Sequence, residues 1–246
     1  MRRQLYREKF EKWKSRQAVA WLPEKFGIFR RNVSGDRLAR RRYSDEGETF
    51  RWGQKTVMSD EHRVDLCCHP STPLGAVRAI QVIVRRSTNS EIHLTFRLDG
   101  DISRIQVPSQ GLPRMSTGLW KHTCFEAFLA ERGQEAYHEF NFAPSLEWAV
   151  YSFKGYRNGG PVLDEALRPD IVVRSTGSQL ELEGAIRLER LSPVHPHALL
   201  RMGLSAVIDT SDGFSYWALR HPTDRPDFHN ADGFSLVLEP PNPVAS

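Results

Sequence analysis

The stretch Leu119–Leu129, LWKHTCFEAFL, alternates with a period of two. In an extended chain Trp120, His122, Cys124, Glu126 and Phe128 fall on one face, and Lys121, Thr123, Phe125, Ala127 and Leu129 on the other. That period predicts a strand over 119–129. The following Glu131-Arg132-Gly133-Gln134 is short, polar and holds a glycine, so the chain is expected to return along 137–143 as an antiparallel hairpin. Ala143-Pro144-Ser145-Leu146 then turns it again before Glu147–Phe153, because proline lacks the N–H that a central ladder requires. A three-strand meander results. Histidine, cysteine and glutamate at alternate positions of an otherwise aromatic strand are not what a plain core needs, and they mark this strand as a site.

The rest of the chain repeats the strand pattern. Strands are expected over 79–86, 91–98 and 102–107, then a hairpin of 171–174 with 179–188 turned through Ser175-Thr176-Gly177-Ser178. A last hairpin of 199–209 with 214–220 turns through Thr210-Ser211-Asp212-Gly213, and 234–238 is a terminal strand. About ten strands with regular turns and no long helix after residue 58 read as all-β, an antiparallel two-sheet sandwich.

Charge divides the chain in two. Residues 1–57 hold 16 Lys plus Arg against 7 Asp plus Glu, a net of +9, while residues 58–246 carry −5. The first part reads as a basic, irregular extension with one amphipathic helix over Gln4–Ala20, and residues 58–246 as the β domain. Arg30-Arg31 and Arg40-Arg41-Arg42 are the residues that would meet nucleic-acid phosphates, but a solvated extension explains them as well and is preferred. A natural start at Met58 is an alternative reading of the same boundary. No apolar run approaches the roughly 20 residues of a membrane span, and the amino terminus has no secretory h-region. Three cysteines, with Cys67 and Cys68 adjacent, make no disulfide framework, so a cytoplasmic protein without membrane association is expected.

Two chemistries suit the meander. A sugar needs flat aromatic faces and a few polar groups that fix hydroxyls. Trp120, Trp148 and Trp217 supply faces, and His122, Glu126, Asn141, Tyr151 and Arg220 supply polar partners; each tryptophan also reads as a core residue. The alternative is an enzyme using His122, Cys124 and Glu126. His122 and Glu126 lie ~13 Å apart along one strand face, so a dyad needs a cross-strand partner. Haem would need an axial pair from Met115, Met202, His122 or His138, without a Cys-x-x-Cys-His attachment. His221, Asp224, Asp227 and His229 crowd the loop RHPTDRPDFHNAD, whose spacing fits no standard metal signature and whose turn-forming residues explain it more simply. No cofactor and no oligomeric state is assigned.

Taken together, LWKHTCFEAFLAE, YHEFNFAPSLEWAVYSF, LRMGLSAVIDTSDGFSYWALRHP and PDFH resemble the bacterial DOMON-like proteins, whose domain is similar to the family 9 carbohydrate-binding modules. The resemblance spans about residues 64–240. It implies an immunoglobulin-related β-sandwich that binds sugars in some branches and haem in others, mostly outside the cytoplasm. The expectation is a non-catalytic domain for a small, carbohydrate-related ligand, with Trp120, His122, Glu126, Asn141, Tyr151, Trp217, Arg220, His221 and His229 forming the site.

Overall fold

The computed structural model describes residues 58–87 and 90–241. The expected basic extension, its helix and its nucleic-acid contacts lie outside the described residues. The fold is built almost wholly of strands: β1 (Met58–Cys68), β2 (Val77–Ser87), β3 (Glu91–Gly100), β4 (Arg114–Met115), β5 (Cys124–Glu131), β6 (Tyr137–Phe142), β7 (Glu147–Phe153), β8 (Gly159–Pro161), β9 (Asp170–Ser175), β10 (Gln179–Arg187), β11 (Leu200–Thr210), β12 (Gly213–Ala218) and β13 (Leu236–Leu238). One helical turn, α1 (Leu188–Leu191), and short 3-10 turns complete it among the described residues.

The meander forms as expected. β5 pairs antiparallel with β6, and β6 with β7. Gly133 takes a φ of +84° in the connecting turn, a left-handed conformation that a side chain would strain. Two features differ from an all-antiparallel, two-sheet sandwich. β4 runs parallel to β7, so the sheet is mixed. Strand pairing is also unbroken along the order β4-β7-β6-β5-β11-β12-β1-β2-β3-β10-β9. β1 carries that continuity: Leu66 and the residues before it pair with β2, whereas Cys67 and Cys68 pair with Ala218 and Trp217 of β12. The expected strand over 102–107 is instead a 3-10 turn, Ile102–Arg104, begun by the Asp101 side chain accepting from the Ser103 N–H.

The sheet curls so that its two ends face each other over one core. Ile80, Val82, Leu94, Phe96, Leu180 and Leu182 from one end meet Phe125, Leu129, Phe142, Trp148, Leu204 and Trp217 from the other. The Phe96 and Phe125 rings lie 5.0 Å apart across that core, although β3 and β5 are far apart in strand order. Close approach is required at Gly184, where a Cβ would come within 3.1 Å of the Phe142 ring.

β5 is buried on both faces. Phe125, Ala127 and Leu129 point into the main core, while Phe128 and Ala130 join Tyr137, Phe153 and Phe234 in a second apolar cluster on the outer side. Cys124 joins Leu119, Ala143 and Ala149 in a third. The outer face of a sheet is usually solvated; here the chain around 219–235 and the 3-10 turn Leu119–Lys121 cover it.

Candidate functional site

Because β5, β6, β7 and β11 pair in register, their outward residues form rows across the covered face. Ser205, Glu126 and Asn141 occupy successive strands in one row, and Phe128, Glu139 and Tyr151 in the next. Glu126, Glu139, Asn141 and Ser205 are each at most 3% exposed. Buried carboxylates are costly unless hydrogen-bonded, and these are. Ser205 Oγ donates to Glu126 Oε2 at 3.2 Å, Asn141 Nδ2 donates to Glu139 Oε1 at 2.8 Å, and the Cys124 thiol lies 3.6 Å from Asn141 Oδ1 as its donor.

The row continues into an aromatic box. The His229 ring sits 5.3 Å from Phe128 and 5.1 Å from Phe153, both edge-on. Its Nδ1 is 2.9 Å from Tyr137 Oη, and its Nε2 is 3.5 Å from Glu139 Oε2. Tyr137 Oη also accepts the Arg157 backbone N–H at 3.1 Å. Burial pushes the Tyr137 hydroxyl up to about 12. Tyr151 is pushed up to about 12 as well, by burial first and then by the negative charge of Glu139 and Glu126, against a 3.4 Å bond from the Gly118 N–H. Both phenols therefore stay protonated and can donate.

The covering segment is fastened by Asp227. Its Oδ1 takes Arg157 Nη2 at 2.7 Å and the His229 N–H at 3.3 Å, and its Oδ2 takes the Tyr156 hydroxyl at 2.8 Å. The Arg157 and Asp227 side chains are only 9% and 11% exposed, which makes this a sheltered pair. Between the segment and the sheet runs a narrow cleft floored by Phe128, Gly203, Ser205 and Ala218, with Arg220, Asp227 and Phe228 at its mouth. It leads to the Ser205–Glu126 bond.

The predicted residues divide into four groups. Glu126, Asn141, Tyr151 and His229 are brought together on the covered face, and Arg220 stands at the cleft mouth. Trp120 and His122 are not on β5: Gly118, at φ +76°, begins a 3-10 turn that takes Leu119–Lys121 out of the strand. Trp120 is half-buried with the Lys121 ammonium 5.4 Å over its ring, and the His122 side chain is 58% exposed, 4.0 Å from Asp209 Oδ2. Trp217, 3% exposed, belongs to the main core, where its indole N–H donates to Ser215 Oγ; the fully buried Trp148 lies there too. His221 lies in a different cleft, with its ring 4.7 Å from His69.

The same placements bear on the other chemistries. Cys124 is 0% exposed and points at Asn141, away from the solvent that His122 meets. Met202 is inside the main core, and His138, half-buried, stacks edge-on with His195. Among the described residues no group of three or more His, Cys, Asp or Glu is placed to hold a metal ion. Asp227 is engaged by Arg157 and Tyr156 instead. Sequence reading missed Tyr137, Glu139 and Ser205, although Tyr137 and Glu139 share the parity of Asn141 on β6 and that period could have found them. Ser205 and Arg157 carried no such signal.

The fold and site define a mostly-β domain whose curled sheet carries a covered polar row beside a cleft. No protein-family model and no curated protein matches the chain. Among solved structures it is similar to a proposed carbohydrate-binding protein from Bacteroides uniformis ATCC 8492, with a TM-score of 0.53 and 16% identity over 72% of this chain and 84% of that one. A family 9 carbohydrate-binding module from Caldicellulosiruptor kristjanssonii, solved with glucose, is more distant, with a TM-score of 0.36 and 10% identity over 65% of this chain and 76% of that one. The first likeness establishes the fold class.

Proposed function

We propose that the chain is a DOMON-like ligand-binding domain, a β-sandwich closed through β1, which holds a small carbohydrate or related polyol, without catalysis at that site, in the cleft between its covered sheet face and the 219–235 segment. The observation that carries this reading is a cleft that sets Ser205, hydrogen-bonded to Glu126 behind it, beside Phe128 and Phe228, with Arg220 and Asp227 at the entrance and with Asn141 and Tyr151 deeper on the same covered face. Fixed acceptors, retained phenol donors and flat rings are what a hydroxyl-rich ligand requires. The fold shared with the Bacteroides uniformis protein fits the same reading. In its present form the cleft is narrow, so binding requires the segment carrying Phe228 to move outward. The three cysteines are free thiols, which suits a cytoplasmic setting.

Calorimetric titration with a panel of mono- and disaccharides tests the proposal. At least one sugar binds, and Arg220→Ala and Asn141→Ala each weaken it by about 10-fold or more, the cost of leaving a buried polar partner unmatched. Absence of binding by every sugar at millimolar concentration, or unchanged affinity in both variants, overturns it.

A further inference from the structure

On the far side of the same segment lies an open cleft lined by His69, Pro70, Ser71, His221, Pro222, Thr223 and Asp224, and it plays no part in the sugar reading. Ser71 is exposed there, with its Oγ 2.8 Å from Nδ1 of His69, a ring only 2% exposed. The His69 Nε2 lies 3.1 Å from the backbone carbonyl of Thr223. A carbonyl only accepts, so Nε2 carries the proton and Nδ1 presents a lone pair. The Ser71 backbone N–H, 3.1 Å from that Nδ1, requires the same tautomer. The Ser71 hydroxyl therefore donates toward a neutral imidazole whose other nitrogen is held by a third group. That is the arrangement that activates a serine nucleophile.

The site is also held still. His69 donates its N–H to Tyr216 O at 2.8 Å, its carbonyl accepts from the Thr72 N–H and hydroxyl, and the Tyr216 N–H returns to Thr72 Oγ1 at 3.4 Å. The His221 ring stands edge-on to His69 at 4.7 Å and is fixed by its own 2.8 Å bond to Cys67 O. His69 is thus clamped, its backbone by β12 and its ring by the 219–235 segment and by the turn that presents Ser71.

We infer that Ser71 and His69 form a nucleophile–base dyad that accepts an acyl group from esters of small carboxylic acids. Ser71 Oγ bonds to the acyl carbon, and its proton passes to His69 Nδ1, while Nε2–H remains on the Thr223 carbonyl. The ester C–O bond then breaks, and the departing alkoxide takes the proton from Nδ1. Water, deprotonated by His69, cleaves the acyl-serine, releasing the acid and restoring the dyad. The cleft between Pro70 and Pro222 is open to solvent and has a volume of about 480 Å³, which leaves room for a small ester beside Ser71.

The test is covalent labelling of the full chain with a small fluorophosphonate, in which Ser71 Oγ bonds to phosphorus and fluoride leaves. Intact mass and peptide mapping then locate the adduct. The expected result is one adduct on Ser71, absent in Ser71→Ala, formed about 100-fold faster than on Ser211, an exposed serine without a histidine partner. In His69→Gln, checked for folding by circular dichroism, labelling falls by about the same factor. An adduct on Ser71 that forms no faster than on Ser211, no adduct there, or undiminished labelling in folded His69→Gln overturns the assignment. The comparison with Ser211 decides the matter even where His69→Gln fails to fold.

Discussion

At the scale of single residues, the strongest placements are polar groups in places where a side chain alone would be unfavourable. Arg86 is 2% exposed, yet its guanidinium donates to the carbonyls of His195, Pro196, Ala198, Leu238 and Glu239. It ties the chain before β11 to the end of β13, and burial lowers its pKa to about 10. Arg86→Met leaves those carbonyls without their donor and is expected to cost at least ~3 kcal/mol in urea unfolding. His138 is a second such case. Burial, and then the neighbouring His195, hold its pKa down to about 4 against an ordinary 6.5. The unfolded chain therefore binds a proton between those values that the folded chain refuses. Stability is full above pH 6.5 and falls as the pH drops toward 4, by up to ~3 kcal/mol. His138→Phe should flatten that slope in chemical unfolding measured across the range. Thiol chemistry separates the cysteines: a mild alkylating reagent is expected to modify exposed Cys67 and leave fully buried Cys124 untouched, and rapid labelling of Cys124 would favour its role as a nucleophile.

At the scale of elements, the period of two in the sequence located most strands, and the exceptions have physical causes. β5 was expected to begin near Leu119, but Gly118 adopts a left-handed conformation and starts a 3-10 turn, which removes Trp120 and His122 from the strand face. β4 and β8 are two and three residues long, too short for any pattern to register. β1 alternates charged and apolar residues from Arg63 to Leu66, yet its pairing with β2 depends on where β2 lies. Close packing between the two ends of the sheet is set at Gly184. Gly184→Val would drive its side chain against the Phe142 ring and is expected to lower stability by about 1–3 kcal/mol by thermal or urea unfolding, with the pairing of β10 to β3 retained.

At the scale of the whole molecule, one core shared by both ends of a continuous sheet makes residues 58–241 a cooperative unit. Trp148 and Trp217 both lie in that core, so tryptophan fluorescence and far-ultraviolet circular dichroism should report the same midpoint on unfolding. Two separated transitions would show that the ends of the sheet unfold independently. The alternation of apolar residues, the Gly133 and Gly213 turns and the meander around β5 were legible from the sequence, because period and turn chemistry are local properties of the chain. So was the grouping of Glu126, Asn141 and Tyr151, which follows once β5, β6 and β7 pair in order. The tertiary structure alone decided that Trp217 faces the core, that Ser205 and His229 join the row beside Glu126 and Glu139, and that Ser71 meets His69 while the 219–235 segment lies between two clefts. Which way a strand's two faces point, and which distant loop covers one of them, depends on how the sheet curls. That is settled by contacts between residues far apart in the chain, which no local pattern encodes.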